Sequence, residues 1–215
     1  MKNMTHVEIL RDLESIENLR TKDVDLYNKR LIRNKTDVSE LRDFVLENQL
    51  LHRTYFQVSV GLLPNNELRF KFIEDNFDLL QDWWHVDQLL QFLKKPVDFD
   101  FAFDKAKEYI FSKDTFTRRW GYVLFLAGLQ KDISHTKDIL SLLKDDEEYY
   151  VQMAEAWLIA ELGVFNIEEV KRFLESTTLN YKITGKAVQK LCDSFRISKE
   201  DKEFVKSLRT KLKEN

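Results

Sequence analysis

The sequence predicts an all-α fold. Apolar residues recur at intervals of three and four positions along nearly the whole chain, which is the period of an amphipathic helix. The 215 residues include only 5 glycines and 2 prolines, too few for the turns that many short strands would require. An apolar fraction of 43% beside a charged fraction of 33% is typical of a soluble globular protein with a substantial core.

Thirteen helices are predicted from this periodicity. They cover residues 5–18, 24–32, 38–47, 51–62, 67–77, 84–93, 99–111, 115–127, 136–143, 148–162, 167–174, 186–195 and 199–213. Their starts are marked by side chains that can accept a hydrogen bond from an orphan backbone N–H. These predicted N-caps are Asp37, Asn65, Asp98, Asp114, Asn166 and Ser198. Asn166 and Glu169 have the spacing of a capping box, while Pro96 and Gly163 are expected between helices.

A repeat of 35 residues relates two of the predicted helices. Segment 122–128 reads Tyr-Val-Leu-Phe-Leu-Ala-Gly and aligns with segment 157–163, which reads Trp-Leu-Ile-Ala-Glu-Leu-Gly. A period of this length is typical of stacked helical hairpins, each of which buries its apolar face on its neighbours. The sequence therefore predicts an α-α superhelix of HEAT-like repeats with a concave surface. No linker rich in Pro, Gly or Ser interrupts it, so we expect a single domain over residues 1–215.

Several classes of function are excluded by missing motifs. The chain has no Gly-x-Gly-x-x-Gly, Walker loop, His-Glu-x-x-His or Cys-x-x-Cys, which excludes Rossmann dehydrogenases, phosphate-loop NTPases and zinc enzymes. The four histidines lie on separate predicted elements without ligand spacing, so we expect no metal site and no cofactor. The single Cys192, the early acidic residues and the lack of an 18-residue apolar run favour a cytoplasmic protein without a membrane partner.

Charge is distributed unevenly along the chain. The net charge of -3 is not that of a general nucleic-acid binder. Residues 180–215 nevertheless carry a local charge of +5, which leaves -8 on the rest of the chain. Any nucleic-acid surface is therefore local, and Lys186 and Lys190 are predicted to contribute to it.

A set of aromatic, acidic and basic side chains remains. Trp83 and Asp87 are four residues apart, so on a helix an indole and a carboxylate would share one face. Arg119 lies on a largely apolar helical stripe, where a guanidinium is costly unless it is paired or reaches a ligand. Trp157 lies in a helix that is apolar almost all round.

Each of these residues also has a purely structural interpretation. Asp87 would interact with backbone donors at a helix start, and Trp83 with Trp84 would form two plates of a helix core. Arg119 would form a buried ion pair with an acid such as Asp87. Trp157 would be an ordinary core side chain.

Three motifs, in this order, resemble the AlkD family of DNA alkylation repair proteins over residues 31–195. The first is Trp-x-x-x-Asp, at Trp83 to Asp87. The second is a capped Arg-Arg helix start, Phe116-Thr-Arg118-Arg119, and the third is the string Tyr149-Tyr150-Val-Gln-Met-Ala-Glu-Ala-Trp157. Segment 38–42 is a weaker match to the N-terminal Pro-x-x-Arg element of that family.

The resemblance implies a DNA glycosylase that excises 3- and 7-alkylated purines, whose rings are already cationic. Asp87 would then stabilise the oxocarbenium-like sugar and position water, while Trp83 and Trp157 would line the cleft as further catalytic residues. Arg119 would hold a backbone phosphate, with Arg118 and Tyr150 beside it in the DNA-binding surface. The implied partner is alkylated or distorted duplex DNA, and we expect a monomer.

The sequence departs from the family pattern at two places. Ala160, followed by Glu161, stands where the family usually has an arginine, and segment 38–42 lacks the family's proline. Each lost phosphate contact lowers both DNA affinity and its salt dependence. Two functions therefore stay open: a glycosylase for cationic alkylpurines, and a non-catalytic HEAT-like module that binds damaged or branched DNA or a protein partner.

Overall fold

The computed structural model describes residues 3–214, in which there are thirteen α-helices and no β-strand. The predicted all-α class is confirmed. The helices fall into two compact units, the first ending at Lys94 and the second beginning at Lys95. The single domain over residues 1–215 stays a prediction. None of the described helices is both long enough and apolar enough to cross a membrane.

The first unit is organised around one long buried helix. Its α-helices are α1 (His6–Glu14), α2 (Thr21–Arg33), α3 (Gln49–Leu62), α4 (Asn66–Glu74) and α5 (Trp83–Asp87). Three 3-10 helices complete it, at Ser39–Asp43, Phe77–Leu79 and Gln88–Gln91. Helix α3 packs against α1, α2 and α4, and most of its side chains are buried. The core of this unit therefore surrounds α3.

The second unit has a similar central helix. Its α-helices are α6 (Phe99–Tyr109), α7 (Thr115–Val123), α8 (Thr136–Ser141), α9 (Tyr149–Phe165), α10 (Ile167–Ser176), α11 (Tyr181–Asp193), α12 (Lys199–Ser207) and α13 (Arg209–Leu212). Three 3-10 helices, Leu124–Ala127, Leu129–Lys131 and Ile133–His135, follow α7. Helix α9 packs against α7, α10 and α11. Helix α9 is therefore packed on several sides, as its sequence predicts, because that sequence is apolar almost all round and has no wide polar face.

Five of the six predicted N-caps are confirmed. The side chains of Asn65, Asp98, Asp114, Asn166 and Ser198 each accept a hydrogen bond from a backbone N–H in the first turn of the following helix. The predicted capping box is formed only in part. The Glu169 backbone N–H donates to the Asn166 side chain, whereas the Glu169 carboxylate accepts a hydrogen bond from the Arg172 guanidinium at 2.6 Å.

The α-helix predicted over residues 38–47 is wrong. Asp37 does accept a hydrogen bond from the Ser39 N–H at 2.9 Å, but the segment that follows is the 3-10 helix Ser39–Asp43. Within that helix only Leu41 is buried. Val38 and Val45 are also buried on either side of this 3-10 helix, so the apolar residues whose spacing predicted an α-helix are packed into the core without forming one.

Gly163 does not lie between helices, contrary to the prediction. Helix α9 continues to Phe165, and a Cβ atom at Gly163 would lie 2.6 Å from Cδ2 of Leu191 in α11. The glycine therefore allows α9 and α11 to approach closely. Gly128, its counterpart in the 35-residue repeat, has a φ of +121° and follows a 3-10 helix. The two aligned glycines thus have different structural roles.

Candidate functional site

The five-residue helix α5 carries both Trp83 and Asp87. It begins after Asp82, whose Oδ1 accepts a hydrogen bond from the Trp83 N–H at 2.6 Å, and it ends at Asp87. The two predicted residues thus lie one helical turn apart. Trp83 is 47% exposed and Asp87 is partly exposed. Trp84 instead makes edge-type ring contacts with His52 and His85, with centroids 5.1 and 4.1 Å apart, so the neighbouring indoles have different surroundings.

Two stacked histidines support α5 from within the core. The rings of His52 and His85 have centroids 3.7 Å apart and are nearly parallel. His52 Nε2 donates to the Leu79 carbonyl at 3.1 Å, while the Gln88 amide donates to its Nδ1 at 2.8 Å. The Gln81 backbone N–H donates to Nδ1 of His85 at 3.0 Å. Each ring is held by hydrogen bonds that suit a neutral imidazole.

Burial keeps both histidines neutral. Desolvation, together with the neighbouring His85 ring, lowers the pKa of His52 to about 3. Desolvation lowers the pKa of His85 to about 4, although the Asp82 carboxylate opposes the shift. The sequence showed these residues only on separate predicted elements, and no spacing in the chain indicates that they stack.

A polar chain extends from the histidine pair to α2. The Gln88 Oε1 accepts a hydrogen bond from the Arg53 guanidinium at 3.3 Å, and Arg53 Nε donates to the Asp25 carboxylate at 2.8 Å. The amide of Gln88 thereby joins His52 to Arg53. These bonds connect α2 and α3 to the 3-10 helix that directly follows α5, and so restrict where α5 lies.

Arg118 has an internal role in the second unit. Its Nε and Nη2 donate to the two carboxylate oxygens of Asp146 at 2.7 and 3.2 Å. Its Nη1 donates to the carbonyls of Ser112 and Lys113, each at 3.0 Å. The hydrogen bond to Asp146 raises the pKa of Arg118. These bonds occupy four of the five guanidinium N–H groups and neutralise the charge with Asp146, and the DNA-binding role of Arg118 stays a prediction.

The side chain of Arg119, which belongs to α7, contacts the backbone of Tyr150 at the start of α9. Arg119 is 4% exposed, and its Nη1 donates to the Tyr150 carbonyl at 2.6 Å. The Tyr150 ring is exposed and packs against Phe116 and Tyr149, with centroids 5.6 and 5.4 Å away. The guanidinium therefore holds the backbone at a residue whose ring faces outward.

An open cleft of about 410 Å³ brings Trp157 and Lys190 together. Trp157 and Ala160 contribute to it from α9, and Lys190 contributes from α11. Glu161, which also lines the cleft, accepts hydrogen bonds on both carboxylate oxygens from Arg196 at 2.8 and 3.0 Å. The negative charge at Glu161 is therefore balanced. Lys186 is partly exposed outside this lining, where its Nζ donates to Gln189 at 3.1 Å.

The DNA alkylation repair enzyme family matches residues 19–191 of this chain. The chain belongs to that family. The matched range contains every residue predicted for catalysis or DNA binding, namely Trp83, Asp87, Arg118, Arg119, Tyr150, Trp157, Lys186 and Lys190. No curated protein and no solved structure matches the chain. Among residues 3–214, no group of three or more His, Cys, Asp or Glu side chains is arranged to hold a metal ion.

A buried acid in α9 was not predicted from the sequence. Glu155 of α9 is fully buried, and its Oε1 accepts a hydrogen bond from the Lys144 backbone N–H at 3.1 Å. Burial raises its pKa to about 8, an effect that the Lys144 and Tyr122 hydrogen bonds oppose. The sequence feature that could have indicated its burial is its position between Ala154 and Ala156 in a helix that is otherwise nearly all apolar.

Replacing Glu155 by Gln is expected to remove a loss of stability that the wild type undergoes as the pH rises from 4.5 to about 8. The folded-state pKa lies above the ordinary value of 4.5, so the stabilisation is complete below pH 4.5 and is lost as the pH rises through about 8. Between pH 5 and 8 this loss amounts to about 3 kcal/mol for the wild type. Gln keeps an acceptor for Lys144. Urea unfolding at several pH values should show a flatter profile for Glu155→Gln, and identical profiles would contradict the assignment.

Proposed function

We propose that this protein is a DNA glycosylase that excises cationic 3- and 7-alkylated purines, with Asp87 as the group that stabilises positive charge on the deoxyribose. The observation that carries the proposal is helix α5. It places the half-exposed indole of Trp83 one turn before the carboxylate of Asp87, on a segment held by the His52 and His85 pair.

The chemistry of such a substrate suits this pair of side chains. When the glycosidic bond between C1′ and N9 of the alkylated purine breaks, its electron pair neutralises the cationic ring, which leaves as a neutral base. Positive charge then develops on the sugar, and attraction to the Asp87 carboxylate increases as it does so. Water attacks C1′ and loses a proton, which completes the hydrolysis. An indole face such as that of Trp83 adds about 0.5–2 kcal/mol for a nearby cation.

We assign DNA contacts in the second unit to its exposed groups. Lys186 and Lys190 supply positive charge for phosphates, and Trp157 offers its indole to the sugar or the cationic ring. The exposed Tyr150 ring contacts the DNA beside them. Arg119 positions Tyr150 through its hydrogen bond to the backbone carbonyl, in place of the phosphate contact that the resemblance implied. The proposed reaction needs no metal or cofactor.

Release of 7-methylguanine and 3-methyladenine from methylated duplex DNA tests the proposal. We expect the wild type to release both bases and Asp87→Asn to be slower by about two orders of magnitude, the size of effect typical of a lost electrostatic contact to the transition state. Asp75→Asn is the matched control, since Asp75 is an exposed acid of the same unit that pairs with Lys71. Equal background release by the wild type and Asp87→Asn would overturn the proposal.

The second candidate function is a module that binds damaged or branched DNA without excising a base. It is favoured by the inward-facing guanidinium of Arg118 and by the small side chain of Ala160, which together leave fewer phosphate contacts. Its signature is affinity for alkylated or branched duplexes that falls with rising salt, without base release. Affinity that does not change with salt would exclude phosphate-driven binding.

A further inference from the structure

The first unit contains a cavity that the proposed function does not use. Residues of α2, α3 and α5 border it, together with the two residues that precede α2, and its volume is about 250 Å³. Its lining residues are Leu19, Arg20, Thr21, Val24, Gln49, Leu50, Arg53 and Trp84. Small-molecule sites usually have volumes of about 300–1,000 Å³, so this cavity suits a small ligand with a single ring.

One part of the lining is apolar. Leu19, Val24 and Leu50 border the cavity beside Trp84, whose indole is partly exposed. The stacked histidine pair packs against this indole and restricts the orientation of its ring. Contacts between aromatic rings are favourable beyond the area that they bury. This part of the lining therefore suits a planar aromatic ring.

The charged part of the lining is positive. Its charged residues are Arg20 and Arg53, and no carboxylate of the described chain belongs to the lining. The Arg20 side chain is 69% exposed, and its Nε lies 3.7 Å from the Asp23 carboxylate. An ion pair with that exposure contributes little. The Arg20 guanidinium is therefore available to an anionic ligand.

Arg53 retains one donor for a ligand although it is only 9% exposed. Its Nε donates to Asp25, its Nη1 to Gln88 and its Nη2 to Gln91. Nη2 also lies 2.8 Å from Oδ1 of Asp25, which balances the charge from outside the cavity. These contacts account for four of the five guanidinium N–H groups. One N–H on Nη1 has no acceptor among the described residues.

We propose that this cavity binds a small aromatic carboxylate. The ring lies against Trp84 and the apolar side chains, and the carboxylate accepts hydrogen bonds from Arg20 and Arg53. A carboxylate fits because guanidinium groups bind planar acceptors with two oxygens through charge-assisted hydrogen bonds. The ligand would contact α5, the helix that carries Asp87. The inference goes beyond the proposed function and does not depend on it.

Titration of the full chain with benzoate tests the inference. We expect the indole N–H resonance of Trp84, assigned with Trp84→Phe, to shift to saturation at millimolar benzoate. Benzamide keeps the ring but has no charge, and acetate keeps the charge but has no ring. Each should bind at least tenfold more weakly than benzoate, because each lacks one of the two interactions.

Two variants alter the site by different means. Arg20→Gln removes the exposed guanidinium and Leu50→Trp fills the cavity, and each should weaken benzoate binding at least tenfold. Since the Arg20 side chain is 69% exposed, its variant is expected to fold even if Leu50→Trp does not. Arg33→Gln is the matched control, because Arg33 is an exposed arginine at the other end of α2 and outside the lining. It should bind benzoate like the wild type.

The inference is overturned if the Trp84 resonance does not shift at millimolar benzoate, or if benzamide binds as tightly as benzoate. Unchanged benzoate binding by Arg20→Gln would also overturn it. Its failure is separable from that of the proposed function. Base release by a wild-type protein that binds no benzoate would overturn the inference and leave the glycosylase intact. Benzoate binding without base release would support the inference and overturn the glycosylase.

Discussion

Acidification from pH 7 to pH 4.5 is expected to lower the free energy of unfolding by about 5 kcal/mol through His52 and His85 alone. Their folded-state pKa values, about 3 and about 4, lie below the ordinary value of 6.5. In the unfolded chain both imidazoles take up a proton as the pH falls through 6.5, whereas in the folded core they cannot. The stability they contribute is therefore complete above pH 6.5 and is lost as the pH falls toward 4 and 3.

The physical cause is the close packing of the two rings. Nε2 of His52 already carries the proton that it donates to the Leu79 carbonyl, so a second proton would have to bind at Nδ1 and would create a cation in a buried ring whose centroid is 3.7 Å from that of His85. It would also convert Nδ1 from an acceptor into a donor opposite the Gln88 amide. Both effects disfavour the charged form in the folded state.

A double variant separates this effect from the titration of the carboxylates. In His52→Gln with His85→Asn, the new amides keep a donor and an acceptor near the positions of the ring nitrogens but do not titrate in this range. Urea unfolding followed by circular dichroism from pH 7 to 4.5 should show a smaller pH dependence for the variant. The variant is expected to be less stable at pH 7, since the ring stack is lost. An equal loss of stability in both proteins would contradict the prediction.

Asp146→Ala is expected to lower the free energy of unfolding by about 3–5 kcal/mol, because it leaves the largely buried guanidinium of Arg118 without its counter-charge. It also removes the acceptor of the Glu148 backbone N–H, which bonds to Asp146 at 2.9 Å just before α9. The same side chain thus neutralises one charge and satisfies one backbone donor. Urea unfolding at neutral pH measures the loss.

The matched control for this prediction is Asp75→Ala. Asp75 pairs with Lys71 at 3.1 Å, but both side chains are more than half exposed, and such pairs contribute about 0–1 kcal/mol. A second comparison is the double variant Arg118→Met with Asp146→Ala, which removes the unpaired charge and should recover much of the lost stability. If Asp146→Ala were no more destabilising than Asp75→Ala, the buried pair would not have the role assigned to it.

Local features of the chain predicted most of the helices correctly. Asn65, Asp98 and Ser198 were identified as N-caps because a short polar side chain before an amphipathic segment satisfies the orphan N–H groups of the same segment. The interaction spans three residues, so no distant part of the chain is needed to predict it. The Trp83 and Asp87 pair was predicted for the same reason, since residues four apart on a helix are neighbours.

Features that depend on distant residues could not be predicted in this way. A glycine can end a helix or leave room for a neighbouring helix, and the sequence around Gly163 does not distinguish these roles. Only the position of α11, which brings Leu191 close to Gly163, does so. Arg118 and Arg119 are adjacent in sequence, yet the first binds a carboxylate of the loop before α9 and the second a backbone carbonyl of α9. Which acceptor each guanidinium reaches is set by packing.

The sequence by itself determined the all-α class, most helix starts and the family, because periodicity, capping and motif spacing act over a few residues along the chain. The helix predicted over residues 84–93 is instead the short α5, Trp83–Asp87, followed by the 3-10 helix Gln88–Gln91. The tertiary structure alone decided that His52 stacks on His85, that Glu155 is fully buried and that Lys190 shares a cleft with Trp157. These three outcomes depend on burial and on contacts between helices. Such contacts follow from how the helices pack, for which the spacing of residues along one helix carries no information.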